Sequence, residues 1–79
     1  MDRFQERIIE MFSEISALTF GEIYKKSSII PSLESVAHAT CQLVKEQPLA
    51  DKGLIFSIEP SPTPCGLLNA TLILSRMEH

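Results

Sequence analysis

Asp51-Lys52-Gly53-Leu54-Ile55-Phe56-Ser57-Ile58-Glu59 is where the apolar pattern of this chain changes period. Leu54, Phe56 and Ile58 alternate with Ile55, Ser57 and Glu59, the two-residue repeat of a half-buried strand. Upstream of Gly53 the repeat is helical. Ser32 reads as the N-cap of a helix over 33–46, with Pro31 just before it and Pro48 closing it. Leu33, Val36, Ala37, Thr40, Leu43 and Val44 fall on one face of that helix, and Glu34, Ser35, His38, Gln42 and Lys45 on the other. Downstream, Pro60, Pro62 and Pro64 lack amide donors, so 60–66 is a tip that neither a helix nor a central strand can accommodate. Strand character returns near Leu68, with Ala70, Leu72 and Leu74 on one side and Asn69, Thr71, Ile73 and Ser75 on the other. Residues 54–75 therefore read as a hairpin that folds back on the preceding helices.

Two further helices lie upstream. Phe4, Ile8, Met11, Phe12, Ile15 and Leu18 fall within an arc of about 120° at helical spacing, predicting a helix over 2–16 opened by an Asp2–Gln5 capping box. Glu6, Glu10 and Glu14 form an acidic ridge on its opposite side, which Arg3 and Arg7 partly offset. Thr19 and Glu22 make the Thr-x-x-Glu capping box of a short helix over 20–27, with Leu18 and Ile23 at the two staple positions around it. Ala17-Leu18-Thr19, just ahead of that cap, can supply a short strand. The order is helix, short strand, helix, helix, hairpin. This is the order of an α+β, winged-helix-like domain in which three helices are followed by a β-hairpin wing, and we read 1–79 as a single such domain. A generic packing of a hairpin on helices is the competing architecture.

Leu18-Thr19-Phe20-Gly21-Glu22-Ile23 and the later helix Ser35-Val36-Ala37-His38-Ala39-Thr40-Cys41-Gln42-Leu43-Val44-Lys45 add something more particular. Together with Leu72-Ile73-Leu74 as a final strand, they resemble the C-terminal winged-helix domain of kleisins, the subunits that bridge SMC ATPase heads in condensin, cohesin and bacterial relatives. The resemblance covers roughly 17–75. It departs from the family pattern at Asn69 and Thr71, near where the family carries an acidic residue, and in its proline-rich tip. It implies a domain that docks on an SMC ATPase head in chromosome organisation.

Composition limits the alternatives. The 79 residues carry seven basic and ten acidic side chains, net −3, where a domain that holds nucleic acid alone usually has the opposite sign. The longest apolar runs fall far short of the ~18 residues of a membrane span. Two cysteines are too few for a disulfide framework. Met1-Asp2-Arg3-Phe4-Gln5-Glu6 has no basic-then-apolar leader pattern, which predicts an intracellular protein, nuclear or chromosome-associated if it acts as kleisins do and otherwise cytoplasmic.

The inventory for chemistry is poor. His38 and Cys41 lie about 60° apart on one helix, but no carboxylate is spaced to orient the imidazole. We read them as a surface histidine beside an inert, partly buried thiol. Cys65 lies on the tip without a basic neighbour to lower its pKa. The cysteines with His38 and His79 do not give closed zinc spacing, and the three glycines are isolated, so no phosphate loop is present. Neither an enzyme nor a cofactor is expected. Direct reading of DNA would need more than the single Lys45 and Gln42 that the outer face of the third helix offers, and the tip carries neither Arg nor Lys.

Protein binding is the expected function. Ile9 lies off the core arc of the first helix, Ile29 and Ile30 sit in a turn, and Ile55 and Ile73 fall on the outer face of the hairpin; a contiguous apolar patch usually marks a partner surface. The expected partner-binding residues are Ile55, Asn69, Thr71, Ile73 and Ser75, on the outer side of the hairpin, with a final strand free to accept a partner's strand. The opposing structural expectation is that the first helix packs across that side and covers Ile55 and Ile73. A homo-oligomer is compatible with either. The alternatives in function are a small winged-helix DNA-binding regulator and an unrelated α+β adaptor subunit.

Overall fold

Each helix opens on a side-chain cap that satisfies amides left without intrahelical partners. Asp2 Oδ1 accepts from Gln5 N at 2.9 Å while Gln5 Oε1 accepts from Asp2 N at 3.2 Å. Thr19 and Glu22 form the same reciprocal box, at 3.0 and 3.1 Å. Ser32 Oγ accepts from Ser35 N at 3.1 Å. The computed structural model describes residues 2–60 and 69–77. In it these caps begin α1 (Arg3–Met11), α2 (Phe20–Lys26) and α3 (Leu33–Glu46). Between α1 and α2 lies β1 (Ala17–Thr19), and a 3-10 turn at Ala50–Lys52 leads into β2 (Leu54–Glu59) and, later, β3 (Thr71–Arg76). Of the proline-rich tip, residues 61–66 lie outside the described residues, as do Cys65, Leu68 and His79.

The three strands form one antiparallel sheet in the order β1-β3-β2. Leu18 faces Leu72 across β1 and β3, and Phe56 faces Leu74 across β2 and β3. Three helices, a short first strand and a returning hairpin give the α+β, winged-helix-like arrangement that the order of elements predicts. One expectation about the sheet is corrected. The final strand is not an edge: β3 is paired on both sides, and the edges belong to β1 and β2. Nothing in the local pattern of β3 signals this, because it follows from β1 pairing with a segment more than fifty residues downstream.

The core lies between the helices and one face of the sheet. Ile8, Leu18, Phe20, Ile23, Val36, Leu43, Phe56 and Leu72 are its buried centre, with Phe12, Ile30, Ala39 and Ala70 around them. Phe12 and Phe56 meet edge to face, with ring centroids 5.7 Å apart and planes at 88°. That geometry contributes about 0.5–1.5 kcal/mol beyond the area it buries. Thr40 is fully buried and donates its hydroxyl to Ala37 O at 2.9 Å, so its polarity is satisfied inside its own helix. Gln5, buried, donates from Nε2 to Glu46 Oε1 at 3.2 Å and so ties the start of α1 to the end of α3.

The predicted helix over 2–16 is shorter in the structure, ending at Met11 with Phe12 as its C-cap. Helical periodicity continues to Ile15, but Ser16 already belongs to the sheet, where its carbonyl accepts from Leu74 N at 2.8 Å. A residue cannot be in the helix and in the ladder at once, so 12–16 must turn between them. Ile15, expected in the core, is 39% exposed as a result. Phe4, Ile58 and Leu74, also expected there, pack at its margin. The predicted helix over 20–27 ends one residue earlier, with Ser27 as its C-cap. Ser27 Oγ accepts from Ile30 N at 3.0 Å, turning Ile30 into the core.

Candidate partner-binding face

Cross-strand register sorts the sheet into two faces. Opposite residues share a side, so Ala17, Ile73 and Ser57 form one row, Thr19, Thr71 and Glu59 a second, and Ser75 and Ile55 a third. Alternation puts all of these opposite Leu18, Phe56 and Leu72, away from the core. Four of the expected partner residues, Ile55, Thr71, Ile73 and Ser75, therefore lie together on this outer face. Asn69 does not: it is exposed just ahead of β3, its carbonyl 3.5 Å from Thr71 Oγ1. Ala17 and Thr19, not among the expected partner residues, join the face only because β1 adds to the hairpin, and Ser57 joins it from β2, opposite Ile73.

Ile55 and Ile73 are half-buried and sit diagonally across β2 and β3, at a spacing of about 7–8 Å. Around them are hydroxyls and a methyl group, and Glu59 is the one charged residue in the three rows. Helix α1 does not cover this face. It packs on α3, on the side where Phe12 meets Phe56. Met77 extends the same alternation beyond β3, its N–H donating to Gly53 O at 2.8 Å, and its side chain is 38% exposed. The other expected patch members are corrected. Ile30 is a core residue at 4% exposure, and Ile9 and Ile29 pack against the core, so none of the three widens the patch.

The sheet edges are engaged at particular groups. On β1, Thr19 N–H is held by the Glu22 carboxylate, while Leu18 faces inward to β3. That hydrogen bond to Thr19, chiefly to its backbone and secondarily to its side chain, holds the Glu22 carboxyl below its ordinary range, with Lys26 adding to the effect against a small opposing desolvation. On β2, Phe56 N donates to Gln47 Oε1 and Gln47 Nε2 donates to Phe56 O, both at 2.8 Å. Leu54 N donates to Leu49 O at 3.1 Å.

Helix α3 carries the rival surface. Glu34, His38, Cys41 and Lys45 are exposed along it, with Glu46 beyond. Cys41 was expected to be partly buried, but it is an exposed free thiol. It projects there because the buried stripe runs through Val36, Ala39, Thr40 and Leu43, whose middle lies about 150° around the helix from Cys41. An open depression between the starts of α1 and α3 is lined by Asp2, Phe4, Ser32, Glu34, Ser35 and His38. Among the described residues no group of three or more His, Cys, Asp or Glu side chains is placed to hold a metal ion. No helix among them is long and apolar enough to cross a membrane. No family model, curated protein or solved structure matches this chain.

Proposed function

We propose that this domain is a protein-docking module without catalysis, and that its partner seats on the outer face of the sheet. The observation that carries this reading is a three-stranded face bearing Ile55 and Ile73, almost free of charge, over which none of the three described helices is laid. A solvated sheet face ordinarily carries alternating charged side chains; here Ser, Thr and Ala surround two isoleucines. Both isoleucines are already half-buried, so completing the burial of each contributes on the order of 0.5–1.5 kcal/mol. Because β3 is central, docking uses side chains of the face and not edge pairing by the final strand.

For the partner we propose an SMC-type ATPase head. This rests on the resemblance of residues 18–23, 35–45 and 72–74 to kleisin winged-helix domains, and it would place the protein with chromosomes inside the cell. The test is capture of a purified SMC head by the domain. Parent protein and His38→Ala should bind alike, and Ile73→Asp should lose binding while keeping its far-ultraviolet circular dichroism. Failure of the parent to bind removes this partner; binding kept by Ile73→Asp and lost by His38→Ala removes the face.

A DNA-binding regulator is the second reading, favoured by the arrangement itself, which leaves α3 exposed along one side. Its exposed ridge holds Lys45 against Glu34 and Glu46, too little positive charge for a phosphate-led contact.

A further inference from the structure

Gln47 does three things at once. It is the C-cap of α3 in the left-handed region, with φ 47°, the one non-glycine residue with positive φ among those described. Its backbone N–H donates to Leu43 O at 2.8 Å, closing the helix. Its side-chain amide meanwhile donates to Val44 O and to Phe56 O and accepts from Phe56 N, each at 2.8 Å. A left-handed conformation just before Pro48 is unfavourable for glutamine and persists only where the surroundings enforce it.

The register shows what the amide replaces. Gly53 O accepts from Met77 N, and Phe56 turns both its backbone groups to Gln47. Leu54, Phe56 and Ile58 therefore point their N–H and C=O groups away from β3, toward the side of β2 where no described strand pairs. A neighbouring strand would bond at these positions. At Phe56 the glutamine amide supplies one acceptor and one donor, as a strand residue does. We propose that the Gln47 side chain stands in for a fourth strand on β2, and that it keeps this edge from pairing with β2 of a second copy. Leu49 already holds Leu54 N–H, so the pairing it prevents is antiparallel and centred on Ser57. Phe56 of one copy then lies opposite Ile58 of the other, each such pair exchanging both N–H···O bonds. This inference is independent of the partner that seats on the sheet face.

Gln47→Gly isolates the side chain, because glycine adopts φ 47° without strain and keeps the Leu43 cap. Sedimentation equilibrium across micromolar to millimolar protein, paired with amide hydrogen exchange, reads the result. The variant should self-associate more tightly than the parent by on the order of tenfold or more, with the Phe56 and Ile58 amides protected in the associated form. Gln47→Asn is the second variant, since asparagine tolerates the left-handed cap and its amide is one methylene too short to reach Phe56; it should behave as the glycine variant does. Folded variants that associate no more than the parent would overturn the proposal. So would an associated form that leaves the Phe56 amide unprotected. Failure of both variants to fold would overturn it too, by making Gln47 a determinant of the fold and not a guard on its edge.

Discussion

Gly53 and Gln47 both lie in the left-handed region, six residues apart, and they answer to different causes. Gly53 has φ 80° with no atom within 4 Å of where a Cβ would stand. Gly53→Ala therefore meets no clash, and its effect is backbone strain alone, a loss of roughly 1–2 kcal/mol read by urea unfolding. Gly53 was legible in the sequence as the point where the period changes. Gln47 was not, because its role is set by a reach across to Phe56 that no local pattern encodes. Glu22 is the third residue with a consequence of its own. Its folded-state pKa is lowered by Thr19, so the capping box contributes fully above the ordinary carboxylate range and loses its contribution as pH falls through the lower folded value. Glu22→Gln, which keeps a hydrogen-bonding amide without the charge, should flatten that part of the acid limb of thermal stability.

At the scale of elements, α1 shows where periodicity misleads. The apolar stripe of Phe4, Ile8, Phe12 and Ile15 is continuous in sequence, yet the helix under it stops at Met11 because Ser16 is claimed by β3. Phe12 and Ile15 therefore part company. Phe12 is 7% exposed against Phe56, while Ile15 is 39% exposed. Phe12→Ala or Phe56→Ala should destabilise by roughly 3–5 kcal/mol, a large share of the total for so small a domain. Ile15→Ala should stay within about 0.5–1 kcal/mol of the parent. Equal losses at 12 and 15 in chemical denaturation would mean that the helix does run to 16. The caps of all three helices and the strand alternation at 54–59 were legible because each depends on residues within four positions of one another. Ile30 and Ala39 were missed as core residues because an ST-type turn at Ser27 and the exact rotation of α3 decide their burial.

The whole molecule adds what no single element holds: the sheet order. β1 is three residues long and carries no strong strand signal, yet its pairing moves β3 to the centre and adds Ala17 and Thr19 to the outer face. The grouping of Ile55, Thr71, Ile73 and Ser75 was legible from period-2 alternation; the loss of a free final strand was not, since it depends on a pairing distant in sequence. Net charge −3 and the mixed ridge on α3 lead to one prediction for the molecule as a body. Fluorescence anisotropy with duplex DNA at physiological salt should show no binding; a micromolar complex that weakens steeply with added salt would support the regulator reading instead. The central claim, that the outer sheet face receives the partner, is tested most directly by amide hydrogen exchange of the domain free and bound to a purified SMC ATPase head. Slowed exchange should centre on Ala17, Ile55, Ser57 and Ile73, with the amides at His38 and Lys45 unchanged. Protection along α3 at His38 and Lys45, with the sheet amides exchanging as in the free domain, would contradict it.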